Sequence, residues 1–185
     1  MEPLLIILAG GAFFVLVVCA LIYNGFVVRR NAVRNAFAAI DVQLKKRWDL
    51  VPNLVETVKA YASHEKDVFE QVIRARQGVE NSAVGTSERF QSEQDLGAGV
   101  ARLMMLAEDY PDLKAGENFL NLQRNLTEIE SQLAAARRAY NAAVTAWNEG
   151  VEMFPGNIFA SIFGFETVAW FETPSDQRKA HDVRF

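Results

Sequence analysis

His64 and His181 are the only histidines in the chain and Cys19 is its only cysteine, which narrows the metal and nucleophile chemistry open to it. A zinc protease needs two histidines four residues apart on one helix face, and neither "HEKDV" nor "HDVRF" supplies the second. A di-iron bundle needs a Glu three residues before a His on each of two helices, but Tyr61 and Arg178 stand there. One cysteine cannot build a thiolate metal site. "GAGVARL" holds a lone G-x-G within a helical pattern, without the preceding strand or third glycine of a dinucleotide cradle, and neither G-x-S-x-G nor a P-loop occurs. Glu108, Asp109, Glu128 and Glu130 read as a solvated helix face. His64 beside Glu65 has the chemistry of a pH-responsive group, although a surface histidine without a role is the commoner case. The expectation is a noncatalytic protein with no metal, no cofactor and no small-molecule substrate.

The remaining chemistry is that of membranes. The 185 residues suffice for one domain of ordinary size. From Pro3 to Val28 no side chain is charged, and at about 1.5 Å per residue this stretch covers about 39 Å against a hydrocarbon core of about 30 Å. Residues 1–28 therefore read as a single-pass transmembrane anchor. A cleavable signal would have a basic n-region and a small-x-small cleavage site directly before Arg29, and neither is present. Cys19 follows Val18, where a lipoprotein acceptor site has a small residue, so it reads as a membrane-buried cysteine.

Arg29, Arg30 and Arg34 follow the span, with Lys45, Lys46 and Arg47 soon after, so the positive-inside rule places the C-terminal body in the cytoplasm. Tyr23 with Arg29, Arg30 and Arg34 forms the expected membrane-interface set, and lipid is the expected partner. Residues 29–76 hold 10 Lys or Arg against 6 Asp or Glu, whereas the chain from Gln77 on holds 9 against 16. Each basic residue near an anionic surface contributes about 1 kcal/mol. An upright helix, however, lifts Lys45–Arg47 about 25 Å past Arg29, several times the Debye length of about 8 Å. That cluster needs another role. A net acidic body without a reading motif argues against nucleic acid.

These groups must be positioned by helices. Counting sevens from Val33 gives Ile40, Arg47, Leu54, Tyr61, Val68 and Ala75, beside Phe37, Leu44, Val51, Val58, Glu65 and Val72. Only Arg47 and Glu65 break the pattern, so the spacing predicts helix from Arg29 to about Gln77. Pro52 falls inside it, either as a kink costing about 3 kcal/mol or as the first turn of a new helix capped by Asp49. Residues 78–95 read as a loop. A third helix follows on Leu96, Val100, Leu103, Ala107 and Tyr110, stopped by Pro111, with Gly97 and Gly99 weakening its first turn. Glu117–Glu149 reads as a long central helix. Its seam sets Phe119, Leu126, Leu133, Tyr140, Trp147 and Phe154 against Leu122, Ile129, Ala136, Ala143 and Gly150. Beyond Pro155 an aromatic tail, residues 155–185, holds Phe159, Phe163, Phe165, Trp170 and Phe171, which serve either as a cap on the bundle or as a contact surface for a partner or lipid.

"YNGFVVRRNAVRNAFAAIDVQLKKRWDLVPNLVETVKAYASHE", "AEDYPDLKAGENFLNLQRNLTEIESQLAAARRAYNAAVTAWNE", "FPGNIFASIFGF" and "WFE" together resemble the LemA family of bacterial membrane proteins over nearly the whole chain from Tyr23. The family-like positions are Asp41, Gln43, Leu44, Asp49, Pro52, Asn53, Leu54, His64, Tyr110, Pro111, Asn118, Phe119, Gln123, Tyr140, Asn141 and Phe154. Gly116 and the "QRKAHDVRF" end depart from the family's pattern. The resemblance implies a single-pass anchor in the bacterial inner membrane and an antiparallel helical body, without an established reaction and with links to envelope or organelle membrane organisation.

The fold class expected is all-α: a transmembrane helix, then a long-helix antiparallel bundle over residues 29–185. The function expected is a membrane-anchored scaffold, a homo-oligomer or the holder of another membrane protein. The alternative is a membrane-tethered sensor or adaptor that engages another membrane protein through its cytoplasmic bundle, with Pro52 as hinge among Asp41, Asp49, Asn53, His64, Tyr110 and Pro111.

Overall fold

The computed structural model describes residues 2–82 and 87–171. They form α1 (Glu2–Lys59), α2 (Lys66–Asn81), α3 (Ser87–Ala107), α4 (Pro111–Lys114), α5 (Glu117–Glu152) and α6 (Gly156–Phe163), with no strand among the described residues. The fold is all-α, as the periodicity predicts. Contacts divide the chain into two compact units, one of Ile40–Ala134, the other of the chain up to Ala39 with the chain from Ala135 on.

The Ile40–Ala134 unit is built on the predicted seam. Leu44, Val51, Leu54 and Val58 of α1 are buried, and from Val51 on they join a core with Phe69, Val72 and Val79 of α2, Leu96, Val100, Leu103 and Ala107 of α3, and Phe119 and Leu126 of α5. The chain stays helical through Pro52, which excludes a restart at that point. Asp49 is no cap; its carboxylate accepts from Lys45 Nζ at 2.6 Å, one turn back. Val51 and Leu54 on either side of Pro52 are almost wholly buried, and burying each such side chain is worth about 1.5–3 kcal/mol, enough to offset the proline's cost of about 3.

The break in the seam comes later than the proline. α1 ends at Lys59, and a turn follows in which the Val58 carbonyl accepts from the amides of both Tyr61 and Ala62. Ala62 becomes the buried residue while Tyr61 and Glu65 point outward, so one of the two heptad series shifts by a residue, to Ala62 and Phe69, the other resumes at Val72, and the helix expected to reach Gln77 is two helices. The expected loop at 78–95 is shorter than its composition suggests, since α2 runs to Asn81 and α3 starts at Ser87. Gly97 and Gly99 lie well inside α3, where they serve close approach: a Cβ at Gly99 would stand 2.9 Å from Val72 Cγ2, and one at Gly97 would stand 3.0 Å from Arg47 Nη1. α3 stops at Ala107, and Pro111 opens α4 instead of ending α3, its missing N–H costing nothing in a first turn.

Arg47, the residue off pattern in the seam, is 2% exposed. Its Nη2 donates to Glu93 Oε2 at 2.8 Å and to the Glu93 carbonyl at 2.7 Å, and its Nη1 donates to Glu130 Oε1 at 3.0 Å. Arg89 Nε lies 3.2 Å from Glu93 Oε1. Two cations and two carboxylates from α1, α3 and α5 thus neutralise one another. This gives one member of the Lys45–Arg47 cluster its role, and it corrects the reading of Glu130 as a purely solvated carboxylate. Lys45 lies over the Trp48 ring at 4.3 Å, as the Arg76 guanidinium does at 3.9 Å.

Breaking a buried pair from one side leaves an uncompensated charge, at a cost of about 3–5 kcal/mol. Arg47→Ala is expected to destabilise the detergent-solubilised chain by about that amount in urea unfolding followed by circular dichroism, and the Arg47→Met, Glu93→Leu double variant is expected to recover most of the loss. A loss below about 1 kcal/mol in the single variant would show the pair is solvated.

Candidate membrane-interface site

The other unit is assembled where the apolar stretch of α1 ends. Ile7, Leu8, Phe13 to Val17 and Leu21 are exposed apolar side chains on that stretch, and α1 is the one helix among the described residues long and apolar enough to cross a membrane. Just before Arg29 the surface changes. Phe26, 2% exposed, packs with Trp147 of α5 and Ala160 of α6, surrounded by Ile22, Val33, Val151, Phe159, Phe165 and Val168. The Phe26 ring meets Phe165 at 4.9 Å and Trp147 edge-on at 5.7 Å, and Tyr23 meets Phe163 at 5.2 Å. Such ring pairs add about 0.5–1.5 kcal/mol each beyond the area they bury.

α6 closes on Gly164, whose φ of 67° is the left-handed conformation that glycine adopts without strain. Residues 165–171 then run extended along α5. Asn148 holds Val168 at two points, Nδ2 donating to the Val168 carbonyl at 2.9 Å and Oδ1 accepting from the Val168 amide at 2.8 Å. Asn141 holds Phe171 in the same way, at 3.2 and 2.8 Å. Seven residues of helix advance about 10.5 Å and three residues of extended chain about 10 Å, so asparagines two turns apart match peptides three residues apart. Trp147 Nε1 donates to the Glu166 carbonyl at 2.8 Å, and the Tyr140 hydroxyl donates to the Ala169 carbonyl at 3.4 Å. Burial pushes the Tyr140 pKa up, which keeps that donor protonated.

The outer side of this assembly is apolar. Met153, Phe154, Ile158, Ile162 and Phe163 are exposed, Phe154 at 79%, so the α5 seam ends at Gly150 and does not include Phe154. Phe163 meets Tyr23 of α1, and Met153 and Phe154 line one cleft with Leu21, so this apolar side adjoins the apolar stretch of α1. A cleft of about 450 Å³ opens beside it, lined by Leu21, Ile22, Gly25, Phe26, Arg29, Glu149, Gly150 and residues 153–156.

Of the residues expected at the interface, all four are exposed on α1; Tyr23 meets the Phe163 ring and Arg29 lies against Gly150, and Arg30 and Arg34 stand beyond them. Of the expected contact surface, Phe163 and Trp170 are exposed, whereas Phe159, Phe165 and Phe171 are half-buried. Asp41, Asp49, Pro52, Asn53, His64, Tyr110 and Pro111 all fall in the Ile40–Ala134 unit. The part of the tail beyond Phe171, with His181, lies outside the described residues. The clamping role of Asn148 was missed; its one signal in sequence is a second asparagine seven residues after Asn141.

A family model described as the LemA family matches residues 36–185. The chain belongs to the LemA family. Two magnetosome proteins, MamQ 1 and MamQ 2 of Paramagnetospirillum magneticum, are each 26% identical to it over 175 residues, covering 81% of this chain and 64% of the relative. Protein LemA of Metamycoplasma hominis is 23% identical over 149 residues, covering 80% of this chain and 68% of the relative. The chain thus spans less than two thirds of the magnetosome relatives it matches. Family membership and the exposed apolar stretch of α1 together make this LemA-family chain a membrane-associated protein.

Removing the Asn148 side chain strands the Val168 amide and carbonyl. Asn148→Ala is expected to speed hydrogen exchange at the Val168 amide by about 10–100-fold, with a smaller effect at Phe171, which Asn141 still holds. Equal exchange in variant and parent would mean the ring contacts alone hold the strap.

Proposed function

We propose that this LemA-family protein is a noncatalytic, membrane-anchored helical scaffold of the bacterial inner membrane, with α1 crossing the bilayer once and the Ile40–Ala134 unit in the cytoplasm. The observation that carries the reading is the apolar surface of α1 adjoined by that of α6 at Tyr23, directly before Arg29, Arg30 and Arg34. An exposed patch of this kind is far more apolar than a water-facing surface tolerates. A basic flank on that side of the span supports the cytoplasmic orientation. The magnetosome relatives, named for a membrane organelle, support a role in organising membrane and not in turning over a substrate.

The scaffold reading includes self-association within the bilayer. Gly10 and Gly11 lie in the apolar stretch of α1, where a Cβ at either would meet nothing within 4 Å, and small residues in a spanning helix let a second helix approach closely. The full-length protein in lipid nanodiscs is expected to show the mass of a defined oligomer by native mass spectrometry, and Gly10→Leu with Gly11→Leu to reduce it to a monomer of unchanged helicity. A monomeric parent would remove self-association and leave a different membrane protein as the scaffold's partner.

A further inference from the structure

The cleft beside Arg29 brings together two opposite charges that do not meet. The guanidinium of Arg29 lies against the bare backbone of Gly150, where any Cβ would run into it. Glu149, the neighbouring residue on α5, faces the same cleft. No ion pair joins either side chain to another described residue. Leu21, Ile22 and Phe26 of α1, with Met153 and Phe154 just after α5, make the rest of the lining apolar, and Leu21, Met153 and Phe154 are exposed. Cation, anion and apolar wall stand at the end of the spanning stretch, the height at which a bilayer changes from hydrocarbon to headgroup.

We propose that this cleft binds one phosphatidylethanolamine molecule, its phosphate on Arg29, its ammonium on Glu149 and an acyl chain along Leu21 and Phe154. The inference rests on the membrane-anchored reading above and adds the ligand that reading lacks. A guanidinium presents parallel N–H donors that suit two phosphate oxygens at once. In phosphatidylethanolamine the ammonium is two carbons from the phosphate ester oxygen and carries three N–H donors, so it can reach a carboxylate on the neighbouring wall. Phosphatidylcholine offers the same charge without an N–H donor. Phosphatidylglycerol offers no cation and would leave Glu149 facing a net negative headgroup. A cleft of zero net charge with its charges separated therefore selects a zwitterionic lipid with a donor at its end. The absent side chain at Gly150 is what leaves room for the guanidinium there.

The test uses the full-length protein reconstituted in bilayers of equal parts phosphatidylethanolamine, phosphatidylcholine and phosphatidylglycerol, then released for native mass spectrometry with its retained lipid. Phosphatidylethanolamine is expected to be retained about tenfold over either competitor, the ratio expected of one charge-assisted hydrogen bond. Glu149→Gln is expected to keep a bound phospholipid while losing the preference over phosphatidylcholine. Arg29→Gln is expected to lose retained lipid altogether, and Gly150→Ala, which displaces the guanidinium without removing its charge, to follow it. Equal retention of the three lipids by the parent would overturn the proposal, as would an unchanged preference in Arg29→Gln and Glu149→Gln. Carbonate extraction of the same bilayers separates the two readings: a protein that washes out refutes the membrane anchor itself, whereas one that stays inserted and shows no lipid preference refutes only the site.

Discussion

The exposed apolar surface of α1 is the constraint on which the rest of its unit depends. Leu16, Leu21 and their neighbours would cost about 25 cal/mol for each Å² of apolar area held in water, so this surface exists only against lipid or another apolar partner. The end of that surface is therefore where packing within the protein takes over. Phe26, the last core residue before Arg29, is where α5 and α6 converge. The exposed side of α6 is apolar like the stretch of α1 that it adjoins at Tyr23.

The Ile40–Ala134 unit obeys a different rule. Its core is apolar and closely packed, yet it admits Arg47 and Glu93, both 2% exposed. Taking two charges from water costs several kcal/mol per ion, and mutual attraction only roughly restores it, so the cluster adds little net stability over an apolar substitute. What it can add is selectivity: both terminal nitrogens of Arg47 find acceptors only in an arrangement of α1, α3 and α5 like this one, with Gly97 leaving room for the guanidinium. Sliding α5 one turn would withdraw Glu130 and leave one guanidinium edge unsatisfied.

The contrast between these units explains what was legible in the sequence. Helices, spanning stretch and core of the larger part were readable because a repeated apolar spacing is a local signal, and the buried seam from Ile40 to Val58 follows it residue for residue. Arg47 was visible as an exception to that spacing, but its partners Glu93 and Glu130 lie 46 and 83 residues away, beyond any local pattern. The turn at residues 60–65 carries no Pro or Gly; tertiary packing of α2 on α3 decides it. Pro52, the strongest local break signal in that stretch, is overridden by the buried Val51 and Leu54 beside it. Of the interface assembly, the aromatic composition was legible and its geometry was not, since main-chain partners leave no trace in side-chain identity.

That geometry relies on polar clamps for a physical reason. Near hydrocarbon, apolar side chains gain little by packing on protein, because lipid offers them a comparable environment, and hydrogen bonds and close fit must then specify the structure. The rings of Phe26, Trp147 and Phe165 could exchange protein neighbours for acyl chains at small cost. The main chain of Val168 and Phe171 could not, because a peptide group buried against α5 without a partner costs the desolvation of both its polar atoms. Asn141 and Asn148 remove that cost in one register only, the one in which two helical turns equal three extended residues. The strap is thereby fixed by its peptide groups, while Phe165 packs on Phe26 and Trp147 and the Trp170 indole donates to Thr145 Oγ1 at 3.0 Å.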